Sequence, residues 1–356
     1  MTMQSFSVAS WCLICAFVAG CQTAPNKASK PVAYVTNQEG GVVMIDLDTL
    51  TPTAVINVEA KVPRGIGVTA DGKYVLTANR DGGDVSVIHT ATRSVVKHIP
   101  IGKNPEFIRV HGGRAYVTYE PSAKLGPPPK PGEEKDDDDD DGADKLPAGI
   151  AIIDLNEWKV LRTISSDPET EGLEFSPDGK LMLVTNEGDN TITVYDIASG
   201  KLVTSISTTD LGNRPRGIKV SPDGQQYVVT LEYGDKFLVL DRDFKPVKTV
   251  ATGKTPYGVA FDRDGKRLFV AASRDKQLQV FDAKSYELIK NIPVGDRCWH
   301  FTFTPDDTKI LLACGRSHNV VVIDAKTYEP VKTLPDLKLP WGVVTHPKAM
   351  GSLDAP

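Results

Sequence analysis

The sequence predicts an all-β fold built from repeated four-stranded units. A turn aspartate returns at a nearly constant interval, because Asp178, Asp223, Asp264 and Asp306 are 45, 41 and 42 residues apart. Each of these aspartates lies between two short segments rich in β-branched and aromatic residues, the composition typical of strands. A period of about 42 residues is the length of one blade of a β-propeller.

Each unit contains the same succession of strands. An alternating segment leads into a tight turn such as Asp71-Gly72, whose glycine accepts positive φ, and a second strand returns from that turn. A third strand follows, as in residues 320–324, and then a turn and a fourth strand, as in 329–334. Because a ring of such units shields most sheet edges, the repeat predicts a closed propeller.

The number of blades follows from the units and from the segments left over. Segment 339–344 is a first strand without successors, while 33–37 and 42–46 are later strands without a first one. Together they make a seventh blade that closes the ring with strands from both ends of the chain. The six complete units run at about 63–102, 103–166, 167–210, 211–254, 255–296 and 297–338.

The first residues predict export. Residues 1–20 contain an apolar run too short to span a bilayer, and Val18–Cys21 resembles the lipobox of bacterial lipoproteins, in which the cysteine becomes the acylated N-terminus. No Lys or Arg precedes the run, so a plain secretory signal or a misassigned start stays open. Gln22 is not Asp, which favours the periplasmic side of the outer membrane, with residues 21–30 as a tether; without lipid the protein would be periplasmic.

The second unit carries an acidic insertion between its second and third strands. Residues 120–148 hold ten acidic and four basic side chains, a net charge of −6, whereas the whole chain has −5. The insertion includes six consecutive aspartates, 136–141, and predicts a solvated, disordered loop. It lacks the spacing of a calcium loop. The remaining chain is nearly neutral, which argues against nucleic-acid binding.

One position of the repeat predicts a ligand site at the mouth of the central channel. It lies seven residues before each turn aspartate, with one deletion allowed in the unit at 103–166. Two alternatives stay open: the ring binds an anionic or planar ligand, or its charges pair off and its aromatic rings fill the channel. The seven residues are Arg64, Glu106, Glu171, Arg216, Tyr257, Trp299 and Trp341.

Export would leave two cysteines as thiols, Cys298 and Cys314, on the strands that flank the turn at Asp306. A cross-strand disulfide and a pair of buried thiols are the two alternatives. His300 and His318 lie in the same unit, but the four side chains do not share one face, so the sequence predicts no metal site.

Several segments resemble a known family. The strand at 34–37, turns such as 176–180 and the closing segment 339–344 resemble YVTN-repeat β-propellers, over residues 31–346. Segment 294–306 is similar to exported propellers associated with pyrroloquinoline-quinone-dependent alcohol oxidation in bacteria. The resemblance implies the propeller fold and an exported compartment more firmly than it implies an activity.

The sequence favours a binding module over an enzyme. It contains no haem-attachment motif, nucleophile elbow, phosphate loop or two-histidine helix, and predicts no cofactor. We therefore expect a monomeric envelope lipoprotein, with a propeller at 31–347 and a C-terminal tail at 348–356. It would recruit a small ligand or a redox protein such as a cytochrome at the channel mouth. The alternative is an enzyme or cofactor handler, either a lactonase-like hydrolase or a haem d1-type tetrapyrrole protein.

Overall fold

The computed structural model describes residues 1–2, 30–59, 62–121 and 147–355. The predicted signal segment, Cys21 and most of the acidic insertion lie outside these residues. The chain divides into two units, Met1–Lys30 and Pro31–Pro356, and the propeller is the second. The described part of the chain contains no helix that is long and apolar enough to cross a membrane.

The described residues of the second unit form 28 antiparallel strands, which are arranged as seven four-stranded sheets. The first strands of the seven sheets contact one another in cyclic order, so the sheets form a ring around a channel. The predicted seven-bladed β-propeller is confirmed. The strands are β1 Val32–Asn37, β2 Gly41–Asp46, β3 Thr51–Ile56, β4 Pro63–Val68, β5 Tyr74–Asn79, β6 Asp84–His89, β7 Ser94–Pro100, β8 Pro105–His111, β9 Arg114–Tyr119, β10 Ala148–Asp154, β11 Lys159–Ser166, β12 Thr170–Phe175, β13 Leu181–Asn186, β14 Thr191–Asp196, β15 Leu202–Ser207, β16 Asn213–Val220, β17 Gln226–Tyr233, β18 Lys236–Asp241, β19 Pro246–Ala251, β20 Pro256–Phe261, β21 Arg267–Ala272, β22 Gln277–Asp282, β23 Leu288–Pro293, β24 Cys298–Phe303, β25 Lys309–Cys314, β26 Asn319–Asp324, β27 Pro330–Leu334 and β28 Pro340–His346.

The seventh blade combines both ends of the chain, as the sequence predicts. Its strand order is β28-β1-β2-β3, and β28 pairs antiparallel with β1, with Tyr34 opposite Val344. The outermost strand of this blade, Thr51–Ile56, was not recognised in the sequence. It is mostly exposed, so it lacks the apolar alternation that marks the inner strands.

The turn aspartates hold the first and second strands of a blade together. Asp178 accepts hydrogen bonds from the Ser176 hydroxyl at 2.7 Å and from the Lys180 amide at 3.1 Å. Gly179, which follows it, has φ of +67°, a conformation that glycine adopts without strain. These contacts are the physical reason for the repeated sequence that predicted the fold.

The C-terminal residues fold back into the channel after β28. Gly351 bridges to Thr302 on the inner strand of the sixth blade, and the Ser352 amide donates to the Phe301 carbonyl at 2.9 Å. Leu353 is completely buried within the hydrophobic cluster that lines the channel. The segment predicted as a tail is therefore part of the propeller interior.

Candidate functional site

The structure places all seven predicted ring residues at one position of the blade. Each lies on a first strand, within a two-residue irregularity in the pairing between the first and second strands. Such an irregularity redirects a side chain that would otherwise follow the regular alternation of the sheet. Arg64, Arg216 and Trp299 are partly exposed at the channel mouth, whereas the other four members are buried.

A strained residue precedes every ring residue by two positions. All seven are non-glycine residues with φ between 49° and 57°, in the left-handed region that such residues seldom adopt. The strain is repeated in every blade at the same mouth, and strained backbone of this kind tends to collect at functional sites. The seven are Val62, Asn104, Glu169, Arg214, Thr255, Arg297 and Leu339.

A second set of residues surrounds the mouth and was missed in the sequence. Six of them directly follow the last residue of a second strand and so begin the connection to the third strand, whereas Glu232 is the last but one residue of β17. An alignment of the ends of the second strands, like the one applied to the first strands, would have found it. The set consists of Gln38, Arg80, Glu120, Glu187, Glu232, Ser273 and Gly315.

Most charges at the mouth are paired. Arg64 lies 2.5 Å from Glu106, and its Nε donates to the Gln38 side chain at 3.0 Å. Arg216 is 3.7 Å from Glu171 and 2.9 Å from Glu232. Pairing within the ring was one of the two alternatives left open by the sequence.

Arg214 and Arg216 also share a buried partner. Glu187 is 2% exposed and accepts from Arg216 Nη2 at 2.8 Å, and it is ion-paired with Arg214 as well. Arg214 reaches Glu169 at 3.2 Å. Burial by itself would lower the pKa of Arg216, but the surrounding glutamates raise it well above its usual value, so this guanidinium stays charged.

Three glutamates are close together on the opposite side of the mouth. Glu106, Glu120 and Glu171 each offer a carboxylate oxygen, and these oxygens lie within 4.8 Å of one another. Glu120 is only 4% exposed and, among the described residues, its carboxylate has no hydrogen-bond or ion-pair partner. The Oε2 atom of Glu106 is buried and also lacks a hydrogen bond there.

This crowding changes the acidity of the carboxyl groups. Burial, followed by the charges of Glu171 and Glu106, raises the pKa of Glu120 well above its usual value. Burial also raises the pKa of Glu171 to about 8, with Arg216 opposing the rise. Glu171 therefore binds a proton at neutral pH, and Glu120 keeps its proton to a higher pH than an ordinary carboxyl group, unless another cation takes the place of the proton.

Aromatic side chains form the remaining wall and the layer beneath it. Arg216 lies over the Tyr257 ring, 4.3 Å from its centroid, and Trp341 packs against His300 at a centroid distance of 4.3 Å. Burial lowers the pKa of His300 well below its usual value, so its ring is neutral. His300 Nδ1 and the Ser352 hydroxyl are 3.0 Å apart, and this pair joins the wall to the C-terminal segment.

The far end of the channel is closed by a paired network. Arg109 is 2.7 Å from Glu174 and donates to the Leu353 carbonyl at 2.7 Å. Lys219 lies 3.5 Å from Glu174 and donates to the Asp354 carbonyl at 3.2 Å. Burial, and then Arg109, lower the pKa of Lys219 to about 7. The C-terminal segment is thus the floor of a channel that opens at the mouth.

Cys298 and Cys314 face each other on β24 and β25, and the structure joins them by a disulfide. Trp299 follows Cys298, and its ring lies so close to Gly315 that a Cβ there would collide with it. The disulfide therefore ties together the two strands that position Trp299. His318 Nδ1 accepts instead from the Leu339 amide at 3.3 Å, apart from His300 and the cysteines.

A cleft extends the mouth at its rim. It has a volume of about 340 Å³ and is lined by residues of the fourth and fifth blades, including Glu232, Tyr233 and Arg274. A second cleft, of about 530 Å³, lies between the seventh and first blades and is lined by Gln38, Val55 and other residues. Neither cleft occupies the channel beneath the ring.

The comparisons with known proteins support the propeller fold. The family model for the cytochrome D1 heme domain matches residues 146–288, which is less than half of the chain. No curated protein matches significantly. The fold therefore defines the chain as a seven-bladed β-propeller, and the mouth defines its candidate site.

Solved structures share the fold at low sequence identity. The periplasmic gluconolactonase PpgL of Pseudomonas aeruginosa is 16% identical, with a TM-score of 0.70, over 88% of this chain and 99% of that one. The Kuenenia stuttgartiensis hydrazine synthase is 21% identical, with a TM-score of 0.67, over 82% and 91%. The dihydro-heme d1 dehydrogenase NirN is 18% identical, with a TM-score of 0.63, over 88% and 74%.

The channel does not fit a haem d1 group, which the matching family model implies. Two ring members, Trp341 and Tyr257, pack against His300, and Leu353 belongs to the same buried cluster, so that all four are at most 4% exposed. Sites for small molecules and cofactors usually enclose 300–1,000 Å³, whereas these side chains fill the space between them by packing on one another. The residues present therefore do not fit a macrocycle in the channel.

Proposed function

We propose that the protein is an exported binding module of the bacterial envelope, anchored by lipid at Cys21, that binds a small ligand at the mouth of its propeller. The observation that carries the proposal is the mouth itself. Two arginines and a tryptophan, Arg64, Arg216 and Trp299, reach solvent above a channel whose other end is closed. Guanidinium forks and an indole face suit a flat, anionic compound.

The disulfide in the sixth blade supports export. Disulfides persist in oxidising compartments such as the periplasm and are rare in the cytosol. Together with the lipobox-like residues Val18–Cys21, it supports attachment at the periplasmic side of the outer membrane. Replacement of Cys21 by Ala should release the protein from the membrane fraction, and membrane retention of that variant would contradict the anchor.

Within this proposal, the resemblance to exported propellers of quinone-dependent alcohol oxidation suggests that the protein works together with an oxidation reaction in the periplasm. The ligand would then be a quinone or another small anionic compound, and a redox protein could dock on the same face. The pairing of the mouth charges supports a binding role over catalysis, because most of the charged groups already have partners within the protein.

A thermal-shift screen tests the proposal. We would add pyrroloquinoline quinone, haem, gluconolactone and divalent cations to the lipid-free Cys21→Ala protein, since a ligand that binds only the folded state raises the melting temperature. The test variant is Arg216→Lys with Trp299→Ala, which keeps the positive charge but removes the planar fork and the indole. It should abolish the shift by the organic ligand.

The matched control is Arg162→Lys with Trp158→Ala, at the outer edge of the propeller, where Arg162 donates to the Ala198 carbonyl at 3.1 Å and Trp158 packs on Tyr74. This control should keep the ligand-induced shift. Equal shifts in both double variants would place the ligand elsewhere, and no shift with any compound would favour a protein partner on this face.

A second candidate function is lactone hydrolysis. The specific observation is that burial raises the pKa of Glu171 to about 8. Glu171 is therefore protonated at neutral pH and can act as a general acid beside Arg216. Structural similarity to gluconolactonases is consistent with this candidate. Hydrolysis of gluconolactone above the spontaneous rate, lost in Glu171→Gln, would establish it. A rate equal to the blank would exclude it for this substrate.

A further inference from the structure

We infer that Glu106, Glu120 and Glu171 form a binding site for one hard divalent cation, Ca²⁺, at the channel mouth. This inference goes beyond the proposed function, because it concerns an ion held by the protein itself, whichever organic ligand the mouth binds.

The geometry of the three carboxylates carries the inference. They come from adjacent blades: Glu106 from β8, Glu171 from β12, and Glu120 from the residue that follows β9. Their ligand oxygens lie within 4.8 Å of one another. Calcium binds oxygen at about 2.3–2.6 Å, so ligand oxygens on opposite sides of the ion are separated by up to about 5 Å. A Ca²⁺ ion thus fits between the three groups without a change in the backbone.

The hydrogen-bonding pattern supplies a second observation. The side chain of Glu120 is more than nine-tenths buried and belongs to the cluster, and its carboxylate has no partner among the described residues. The Oε1 atom of Glu106 accepts from Arg64 at 2.5 Å, while its Oε2 atom is buried without a hydrogen bond. Buried polar atoms are almost always satisfied, so the vacant Oε2 atom of Glu106 needs a donor or a cation.

The local charge balance also favours a cation. Arg64 neutralises one carboxylate through Glu106, and Arg216 is shared among Glu171, Glu187 and Glu232. Glu120 adds a further buried acid that neither arginine contacts. Burying an unpaired carboxylate is costly, and a bound metal ion is one of the few ways to compensate for it.

The chemistry of the donors selects the ion. Carboxylate oxygens suit calcium, magnesium and manganese, whereas zinc and copper prefer nitrogen and sulfur ligands. Magnesium requires oxygen at 2.0–2.1 Å in a nearly ideal octahedron and gives up its water reluctantly, so a site of protein carboxylates favours calcium. Water molecules would complete the coordination shell on the open side of the mouth, as they commonly do for calcium.

Calorimetric titration of Ca²⁺ into the EDTA-treated Cys21→Ala protein tests the site. We expect one ion bound per chain at the mouth, a higher melting temperature with Ca²⁺, and weaker binding of Mg²⁺. Glu120→Gln preserves the shape of the side chain and should weaken Ca²⁺ binding by at least about tenfold, the loss that even an outer-shell substitution can cause. Absence of Ca²⁺ binding, or tighter binding of Mg²⁺, would overturn the inference.

Two controls separate the site from other sources of negative charge. Glu169→Gln removes one charge from the same mouth but lies outside the cluster, and should change the affinity by less than about threefold because this partly exposed charge is already paired with Arg214 at 3.2 Å and is screened by solvent. Replacement of all six aspartates at 136–141 by asparagine should leave the mouth ion bound. Loss of Ca²⁺ binding in the six-Asn variant with normal binding in Glu120→Gln would assign the ion to the acidic run and sink the proposal.

Discussion

The mouth and the floor of the channel bury charged groups in opposite ways. At the floor, Glu174 contacts both Arg109 and Lys219, and the backbone carbonyls of the C-terminal segment take further donors. At the mouth, Glu120 is buried beside other glutamates with no partner among the described residues. The first arrangement stabilises the propeller, whereas the second leaves acceptors vacant.

The difference appears in the direction of the pKa shifts. Burial would raise the pKa of Glu174, but Arg109 and Lys219 lower it below its usual value. The pKa of Glu120 is instead raised by burial and by its acidic neighbours. Equal depth of burial therefore has opposite consequences, depending on whether the fold supplies a counter-charge. The mouth thus combines two glutamates that are paired with arginines, Glu106 and Glu171, with a third, Glu120, whose pKa its burial and its acidic neighbours raise.

The largest effect should come from removing the floor. Truncation after Met350 deletes Leu353 and removes the acceptors of Arg109 and Lys219, so we expect the free energy of unfolding to fall by at least about 4 kcal/mol. Leu353→Ala alone should cost about 2–5 kcal/mol through the cavity it leaves. Urea unfolding would measure both. A loss below about 1 kcal/mol on truncation would show that the segment does not support the ring.

A pair of isosteric substitutions compares the two ends directly. Glu174→Gln removes the carboxylate that Arg109 and Lys219 share, leaves the buried Arg109 cation without it, and should lower the free energy of unfolding by about 3–5 kcal/mol. Glu120→Gln removes a buried acid whose raised pKa makes folding at pH 7.5 costly, and should raise the melting temperature in EDTA. Both variants are measured by thermal unfolding at pH 7.5. Destabilisation of similar size in both would mean that Glu120 has a stabilising partner after all.

The sequence predicted the fold because the fold is itself a repeat. The turn aspartates of four blades make the same contacts, and in the fifth blade Asp262, two residues before Asp264, accepts the backbone amides instead. A period near 42 residues therefore appears in the sequence and marks the blades. The ring residues could be aligned for the same reason. The C-terminal residues, in contrast, are not part of the repeat. No periodic pattern therefore predicts that Leu353 is buried inside the channel.

The electrostatics of the mouth could not be predicted from the sequence, for a different reason. Glu120 and Glu187 lie at the ends of second strands, and they meet the first strands of neighbouring blades only when the ring closes. Which arginine pairs with which glutamate depends on how far each side chain extends from one blade to the next. That reach is a property of the three-dimensional ring and not of the spacing along the chain.

The floor should also respond to pH through Lys219. Below pH 7 its amine is charged in the folded and unfolded states, but between about 7 and 10.5 the folded protein has lost the proton that the unfolded chain still binds. Stability contributed by this group therefore rises with pH over that window. Burial is the largest cause of the shift and Arg109 adds to it, whereas Glu174 and Asp354, which also face the amine, oppose it.

Lys219→Met isolates this dependence. The difference in free energy of unfolding between wild type and the variant, measured by urea titration at pH 6.5, 8 and 9.5, should move in favour of wild type as the pH rises. Groups elsewhere, including the mouth glutamates, cancel in the difference. A difference that does not change with pH would mean that the floor does not lower the pKa of this amine.

The smallest expected effect concerns the strained backbone of the mouth. Val62 has φ of +54°, a conformation that is costly for a β-branched residue, whereas the equivalent residue of the second blade is Asn104 with φ of +50°. Asparagine tolerates this region, so Val62→Asn should raise the free energy of unfolding by about 0.5–1 kcal/mol. The reciprocal Asn104→Val should lower it, and by more, because Asn104 also accepts from Arg80 at 3.0 Å. Equilibrium unfolding in urea would measure the free energy of unfolding of both variants.

If Val62→Asn is neutral while ligand or Ca²⁺ binding weakens, the strain contributes to the shape of the mouth. If Val62→Asn stabilises the protein and binding is unchanged, the strain is only a consequence of closing seven blades around one axis.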